Sequence, residues 1–369
     1  MLCIYIHVPF CKTLCPYCAF YKLKLNTENE KRYLSALTTE IAYYKEITCS
    51  PVKAIFFGGG TPSILSISTL LTILDTMHHT FSIHPDCEIT LEANPEHLTK
   101  KYIKHLEASP VNRISVGVQS FVDKELQFLG RTHRENTLIR HLGNLAESKI
   151  NNTNLDLIFS LPISTLHSLE YSLNKVTQFN PTHISTYALS IENNTPFQKR
   201  KYKGLASSEE TAHFEHIISY LDAYQYKHYE VSAFAKENKK CIHNMNYWTY
   251  GDFLGFGPSA HSFFKGKHAC NAASLAEYLQ TPYPAYLQTK TVLNESDQIK
   301  EYVVSHLRLI DGLSLDHFSS RFNVDFKAHF KAQLPSLLNE KLLHLSEHGR
   351  LKTTRKGLLL LNEILLEFV

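Results

Sequence analysis

Three cysteines within eight residues form the densest group of potential metal ligands in the chain. Cys11, Cys15 and Cys18 lie in the stretch FCKTLCPYCAFYK, directly after the apolar run CIYIHVP. Closely spaced thiolates are typical ligands of cubane iron–sulfur clusters, and a set of three leaves one iron open to an exchangeable ligand. Structural zinc normally needs four ligands, for which His7 offers a fourth, and free thiols are the remaining alternative. The spacing therefore favours a 4Fe-4S cluster.

The elements that position this loop are short apolar strands alternating with longer amphipathic helices. Strands are predicted at LCIYIHV, KAIFFGG, EITLEA, RISVGVQ, NLDLIFSLP and HISTYALS, with apolar residues at helical spacing between them. Repeated βα units predict parallel strands with right-handed crossovers, and six units predict a partial (β/α)6 barrel of the TIM type. In such a fold the functional residues lie at the carboxyl ends of the strands.

Polar and glycine-rich segments do follow the predicted strands. The cysteine loop follows the first strand, GGGTP the second, EANPE the third and GVQSF the fourth, whereas Asp156 lies inside the fifth. A carboxylate in a buried strand is costly unless it has a partner, so Asp156 is predicted to contact a ligand or a buried polar group. These segments are therefore candidates for a single site.

The βα rhythm changes near residue 225. YKHYEVSAFA predicts a further strand, whereas CIHNMNYWTYGDFLGFGPSAHSFF is aromatic and glycine-rich and predicts loop rather than helix. After about residue 290, short helical patterns and a hairpin pattern predict a small helical, winged-helix-like module. We therefore divide the chain into a barrel at 1–225, a linking segment at 226–290 and a C-terminal module at 291–369.

Composition limits the class of protein. Of the 369 residues, 43% are hydrophobic and 20% charged, as in globular proteins, and no apolar run is long enough for a membrane span. The amino terminus has no basic leader or small-residue cleavage site, and eight cysteines are too few for a disulfide scaffold. We expect a cytoplasmic protein without stable membrane insertion. A net charge of +3 gives no reason to expect nucleic acid as a partner.

The cysteine spacing after the first strand resembles that of radical S-adenosyl-L-methionine (SAM) proteins. In order, YIHVPFC, CPYC, GGGTPS, EANPE, RISVGVQSF, LGRTH and DLIFSLP resemble the family of anaerobic coproporphyrinogen III dehydrogenase and its heme chaperone relatives, over nearly the whole chain. The resemblance implies a 4Fe-4S cluster on Cys11, Cys15 and Cys18, SAM at the open iron, and an electron donor for the cluster. It places nine residues at SAM contacts: Tyr5, Tyr17, Gly59, Gly60, Thr61, Glu92, Gln119, Arg131 and Asp156.

Several of these residues suit particular parts of SAM. Glu92 can accept hydrogen bonds from both ribose hydroxyls, and the planar fork of Arg131 suits the carboxylate. The ring of Tyr17 can lie beside the adenine, and the glycines of GGGTP allow the backbone to come close to a ligand. Taken alone, each of these residues more often has a structural role.

Three features separate the two branches of this family. The dehydrogenase branch carries a fourth cysteine where Phe20 stands here, and it has an amino-terminal extension before the first strand. HNMNYW at 243–248 matches the HNxxYW motif of the chaperone branch. A neutral imidazole of His243 suits heme iron, Tyr247 and Trp248 offer flat apolar contact, and His261 is a second candidate ligand. Alternatively, His243 bonds to a loop and Trp248 fills the core.

The resemblance therefore favours a heme chaperone over coproporphyrinogen III dehydrogenase. It implies heme or another porphyrin as ligand, a heme-accepting protein as partner, and a monomer or homodimer. No catalytic residue is assigned from the sequence. Cleavage of SAM, covalent attachment of heme and the identity of the acceptor are left open.

Overall fold

A mixed sheet of eleven strands forms the frame of the computed structural model, which describes residues 2–45, 47, 50–280 and 292–369. The predicted boundary at 290/291 lies outside the described residues. The strands order as β13-β12-β11-β1-β4-β5-β6-β7-β8-β10-β9. Their bounds are β1 Leu2–Val8, β4 Val52–Gly59, β5 Ile83–Ala93, β6 Arg113–Gln119, β7 Asn152–Phe159, β8 His183–Ala188, β9 Lys227–Glu230, β10 Ala233–Ala235, β11 Asp252–Phe256, β12 His261–Phe264 and β13 Lys267–Cys270.

The six predicted strands are confirmed as β1 and β4 to β8, which are parallel in chain order. The segment YKHYEVSAFA forms two antiparallel strands, β9 and β10, rather than one. A further strand, β11, pairs parallel to β1 on its other side and continues into the antiparallel hairpin β12–β13. The predicted linking segment 226–290 thus adds strands to both edges of the large sheet.

Helices connect the parallel strands and cover one face of the sheet. Several begin at a side-chain cap, in which Asn26, Ser66, Thr99 or Thr165 accepts a hydrogen bond from the backbone N–H three residues later. The helices of this part are Thr27–Ala42, Ile67–Thr80, Lys100–Glu107, Asp123–Phe128, Glu135–Ala146, Leu166–Gln178, Pro196–Lys199, Ser207–Ala223, Ile242–Trp248 and Leu275–Gln280, with 3-10 turns at Pro62–Ile64 and Pro95–His97.

Side-chain alternation gives the sheet an apolar face and a polar face. Ile89 and Leu91 of β5 belong to the large apolar core, whereas Glu88, Thr90 and Glu92 alternate with them and point to the opposite face. Strands β6, β7 and β8 repeat the pattern, and their polar residues bond to one another across the strands. We call this second surface the inner face.

The helix Ile242–Trp248 lies on the inner face, and its contacts with distant strands show that the sheet is curved. Its His243 stacks on Phe56 of β4, and its Met245 packs against β9 and β10. Strands β4 and β10 are five steps apart in the sheet, or about 24 Å if it were flat. A helix of seven residues is only about 10 Å long. The sheet therefore curls around this helix, in agreement with the predicted barrel-like radical SAM fold.

The prediction of a loop for this segment was wrong, since Ile242–Trp248 is helical. Cys241, at the N-cap position, provides no side-chain cap. Instead, the carboxylate of Glu88 on β5 accepts a hydrogen bond from the backbone N–H of Ile242 at 2.9 Å. The helix is thus begun by a residue distant in sequence, which the local pattern does not reveal.

The C-terminal residues form a small, mainly helical module, as predicted, whose core also includes Tyr250 and Phe263 of the preceding segment. It contains the three-stranded antiparallel sheet β14-β16-β15 and a cluster of buried aromatic residues. The strands are β14 Leu313–Ser314, β15 Leu343–Leu345 and β16 Arg350–Thr353, and the helices are Glu295–His306, Leu315–Phe322, Phe326–His329, Leu334–Asn339, Arg355–Leu359 and Leu361–Leu366. Across the part of the chain that the structure describes, no helix is long and apolar enough to cross a membrane.

Candidate functional site

The cysteine loop is closed at its base by two short parallel strands, β2 Phe10–Cys11 and β3 Leu23–Lys24. The N–H of Leu23 donates to the carbonyl of Pro9 at 2.7 Å, and the N–H of Leu25 donates to the carbonyl of Cys11 at 3.2 Å. This pairing fixes both ends of the loop at the carboxyl end of β1. Cys11 is buried, whereas Cys15 and Cys18 are partly exposed.

Two hydrogen-bond donors point at the cysteine sulfurs. The hydroxyl of Thr61 donates to Cys11 Sγ at 3.5 Å, and Nη1 of Arg131 donates to Cys15 Sγ at 3.6 Å. Burial raises the pKa of the Cys11 thiol, and the nearby thiols of Cys15 and Cys18 raise it further. Such donors stabilise thiolates, the form that binds metal.

The three thiols do not have the geometry of a site for a single metal ion. Within the described residues, no three His, Cys, Asp or Glu side chains stand in metal-holding geometry. A 4Fe-4S cluster sets a different requirement, because each thiolate binds a different iron of the cube. His7, the alternative fourth ligand for zinc, has both ring nitrogens engaged, at 3.1 Å from the hydroxyl of Tyr5 and 2.9 Å from the carbonyl of Tyr21.

The backbone of GGGTP passes the base of this loop at very close range. A Cβ on Gly60 would lie 2.7 Å from the carbonyl oxygen of Phe10 and 2.9 Å from that of Val8. Gly59 has a φ of +105°, and a Cβ there would lie 2.6 Å from the ring of His7. Both positions therefore require glycine for steric reasons, and the following residue, Thr61, is brought against Cys11.

Glu92 and Asp156 bring two carboxyl groups to the inner face. Burial raises the pKa of Glu92 to about 8, and Asp156 contributes to the rise. Burial also raises the pKa of Asp156, which accepts hydrogen bonds from Asn154 at 2.7 Å and from Ser115 at 3.2 Å. The prediction that Asp156 has a buried polar partner is confirmed. Two carboxyl groups with raised pKa values facing one space are typical of a ligand site.

Arg131 joins the cysteine loop to the ends of β5 and β6. Its Nη2 donates to Oδ1 of Asn94 at 2.6 Å and to the carbonyl of Gly117 at 2.8 Å. Gln119, which ends β6, has a φ of +70°, and its amide approaches the Cα of Gly117 so closely that a Cβ there would lie 2.8 Å from Nε2. Three of the predicted positions, Thr61, Gln119 and Arg131, thus converge on Asn94 and Gly117.

Tyr17 of the cysteine loop packs against neighbouring apolar side chains. Its ring is 6.3 Å from that of Phe197, and it packs against a small apolar cluster that includes Leu129 and Leu161. The loop also rests on Gly130, where a Cβ would lie 2.7 Å from the ring of Pro16. Contact of Tyr17 with an adenine stays a prediction.

Tyr5 and His243 share an aromatic stack on the inner face. The ring of His243 lies 5.0 Å from Phe56 and 6.1 Å from Tyr5, both at shallow angles, and a Cβ on Gly58 would lie 2.9 Å from Tyr5 and 3.3 Å from Glu92. Burial and the charge of Arg113 lower the pKa of His243 to about 4, so its imidazole is neutral near pH 7. Its Nδ1 is buried without a hydrogen-bond partner.

The other predicted heme-contacting residues are distributed around this stack. Tyr247 is 48% exposed and packs edge-on against Trp248, whose ring carries the guanidinium of Arg308 at 5.6 Å. Burial raises the pKa of the nearby Glu230 carboxyl group to about 7, and the Trp248 indole only partly opposes this rise. His261 is exposed on β12, where its Nε2 is 3.5 Å from Cys270 Sγ. The structure does not bring His261 against the ring of His243.

A buried ion pair that the sequence analysis missed supports the helix carrying His243. Nε of Arg113 lies 3.8 Å from Glu88 Oε2, while Glu88 Oε1 accepts from the N–H of Ile242 and from Cys241 Sγ. Glu88 has the same strand parity as Glu92, and Arg113 is buried in β6. The signal in the sequence was therefore a charged residue four positions before the predicted ligand Glu92, on the same face of the strand. Asn94 was likewise present in EANPE but not singled out.

These arrangements fit the groups that the cysteine spacing implies. Three neighbouring thiols with donors aimed at two of them suit an iron–sulfur cluster, and glycine backbone, two carboxyl groups and a guanidinium surround the adjoining space. The residues that would hold the cluster are Cys11, Cys15 and Cys18. The polar ends of β4 to β7 would hold SAM.

Comparison with known proteins agrees with this description. Residues 5–176 match the Radical SAM superfamily, and residues 293–360 match the HemN C-terminal domain. Heme chaperone HemW of Bacillus subtilis strain 168 is 34% identical, over 98% of this chain and 97% of that protein. HemW of Lactococcus lactis subsp. lactis strain IL1403 is 31% identical, over 99% and 96% respectively. The structure of Escherichia coli coproporphyrinogen III oxidase (HemN), a radical SAM enzyme, matches with a TM-score of 0.85 and 25% identity, over 100% of this chain and 89% of that one.

Proposed function

Because the chain belongs to the heme chaperone HemW family within the radical SAM superfamily, we propose that it binds a 4Fe-4S cluster, SAM and heme, and delivers heme to an acceptor protein. Cys11, Cys15 and Cys18 would hold the cluster. When bound, the cluster and SAM together supply a site for one-electron chemistry. The cytoplasmic location and a monomeric or homodimeric state stay predictions.

The observation that carries this proposal is the position of His243. The ring lies on the inner face, stacked against Tyr5 and Phe56, so the HNMNYW helix and the polar ends of β4 and β5 border the same space. Its imidazole is neutral, which leaves a lone pair for iron, and Nδ1 has no competing partner. Heme near His243 would therefore lie within reach of the SAM positions.

The remaining residues would orient the ligands. Glu92 and Asp156 offer hydrogen-bond acceptors. Because the pKa of Glu92 is raised to about 8, its carboxyl group is mostly protonated at pH 7 and can also donate a hydrogen bond. Arg131 is held by Asn94 and the carbonyl of Gly117, which fixes its guanidinium beside Cys15. A fixed guanidinium at that point suits the carboxylate of a SAM molecule bound next to the cysteine loop.

A heme titration with matched variants tests the assignment of His243. We expect stoichiometric heme uptake by the reconstituted protein, with a shifted Soret band and weaker binding in His243→Ala. His105→Ala, on the exposed surface of the helix Lys100–Glu107, is the matched control and should bind as the parent does. Unchanged heme uptake in His243→Ala would refute this ligand assignment. Loss of heme uptake in His261→Ala alone would instead identify His261 of β12 as the ligand.

Coproporphyrinogen III dehydrogenase activity is the second candidate function, favoured by the match to HemN over the full chain. The reconstituted protein should be incubated anaerobically with SAM, a reductant and coproporphyrinogen III, and product porphyrinogen measured. We expect no conversion; decarboxylation would refute the chaperone proposal. Cys15→Ala should lose the visible absorption of the cluster, whereas Cys270→Ala, an exposed cysteine far along the chain, should keep it.

A further inference from the structure

A strongly basic segment borders the cysteine loop and has no role in the function proposed above. Four of the five residues at 199–203 are cationic, in the sequence KRKYK, and all five are exposed. No acidic residue occurs between positions 193 and 208. Among the residues that the structure describes, Lys199, Arg200, Lys201 and Lys203 make no ion pair. Their positive charge therefore faces solvent without compensation.

Direct contacts tie this basic segment to the cysteine loop. The N–H of Phe197 donates to the carbonyl of Pro16 at 3.2 Å, and its buried ring lies 6.3 Å from Tyr17. Tyr202, inside the basic segment, packs edge-on against Phe197 at 4.9 Å and against Phe128 at 5.0 Å. The basic segment is thus linked through Phe197 to Pro16 and Tyr17, the two residues between Cys15 and Cys18.

The cysteine loop, to which the basic segment is linked, itself exposes apolar side chains. Phe20 is 65% exposed and Leu14 is 44% exposed, and Lys12 on the same loop is also exposed. Transient interfaces are typically small, with apolar contact at the centre and steering charges at the rim. Apolar loop residues beside a basic segment match that description.

We propose that the basic segment 199–203 and the exposed residues of the cysteine loop form the docking surface for a small electron-carrying protein with an acidic face. This inference rests on the proposed cluster. One electron would pass from the reduced carrier to the oxidised cluster, so that the carrier is oxidised by one electron, the cluster is reduced by one, and no bond or proton changes place. The carrier must approach the loop because electron transfer needs proximity, and its acidic face would be attracted by the four cations.

Reduction kinetics with charge-reversed variants test this proposal. The full chain, with its cluster reconstituted anaerobically, is mixed with an excess of reduced flavodoxin as the acidic carrier, and bleaching of the cluster absorption is followed. For Lys199→Glu/Lys201→Glu we expect the second-order rate constant to fall about tenfold or more at low ionic strength. The difference should shrink as salt is added, since exposed charges are screened.

Two controls separate docking from other effects. Lys327→Glu/Lys331→Glu changes the net charge equally on exposed residues of the C-terminal module, and it should reduce at the parent rate. A small uncharged photoreductant such as deazaflavin should reduce all three proteins equally. Equal reduction rates with flavodoxin in both double variants would overturn the proposal. A Lys199→Glu/Lys201→Glu protein that loses heme uptake but is reduced at the parent rate would overturn it as well. A missing cluster absorption before mixing would instead contradict the proposed function.

Discussion

Glu92→Gln is expected to stabilise the ligand-free protein at alkaline pH while weakening its binding of SAM. The pKa of Glu92 is raised from an ordinary value of 4.5 to about 8 by burial and by Asp156. Between these two values the folded state binds more protons than the unfolded state, so stability falls as pH rises through this window. Glutamine cannot ionise, yet it keeps an oxygen that accepts from the backbone N–H of Gly59. The substitution therefore removes the loss of stability.

The magnitude follows from the size of the shift. One pKa unit corresponds to about 1.4 kcal/mol, so the full shift sets a ceiling of about 5 kcal/mol above pH 8. Glu92 is only half-buried, and solvent screens its interaction with Asp156. We therefore expect a gain of about 2 kcal/mol, which for 369 residues raises the unfolding temperature by about 3 °C. Near pH 4 the gain should vanish.

Thermal unfolding of the cluster-free protein, followed at several pH values, measures this gain. Glu215→Gln, on the exposed side of the helix Ser207–Ala223, is the matched control and should show no pH-dependent difference from the parent. SAM binding, measured by calorimetry on the reconstituted protein, should weaken in Glu92→Gln and not in Glu215→Gln. A Glu92→Gln protein destabilised equally at all pH values would refute the reasoning, since its carboxyl group would then be a structural acceptor.

Two further substitutions have clear expected outcomes. Gly60→Ala should destabilise the protein by about 1–3 kcal/mol and prevent cluster reconstitution, because its Cβ would lie less than 3.0 Å from the carbonyl oxygens of Val8 and Phe10. Urea unfolding measures the loss of stability, and the visible absorption measures the cluster. Parent values in both would show that the backbone moves to accommodate the Cβ at little cost. Glu88→Leu should weaken heme binding, because it removes the acceptor for the N–H of Ile242. Glu88→Gln keeps that acceptor and should show the Soret band of the parent protein. Equal spectra of the two variants would exclude a positioning role for Glu88.

The strands and the positions at their ends were predictable because strong local signals coincide there. Apolar runs of β-branched residues give the parallel strands, and a polar residue directly after each run marks the end at which loops converge. Glu92 and Gly60 were found in this way, whereas Arg131 was placed by the family resemblance of LGRTH. Their mutual contacts follow from strand order, which repeated βα units largely determine.

The helix Ile242–Trp248 could not be predicted, because the interactions that begin it come from a strand more than 150 residues earlier. Its asparagines and aromatic residues carry weak helical propensity, so the tertiary contact decides. The same reasoning applies to the docking of Phe197 on the cysteine loop, which depends on a single backbone hydrogen bond and a ring contact. Periodicity reports which face of an element is buried, but it does not identify the partner.

The pairing of β1 with β11 has a consequence for synthesis of the chain. Leu2 pairs with Asp252, so β1 acquires its second neighbour only after some 250 further residues have been synthesised. Until then one edge of β1 has unpaired backbone groups, and the Glu88–Arg113 pair lacks its covering helix. A nascent chain is therefore exposed to edge-to-edge association throughout most of translation. Truncations that end before residue 252 should accumulate as aggregates, whereas loss of the last module alone should leave the large sheet closed on both sides of β1.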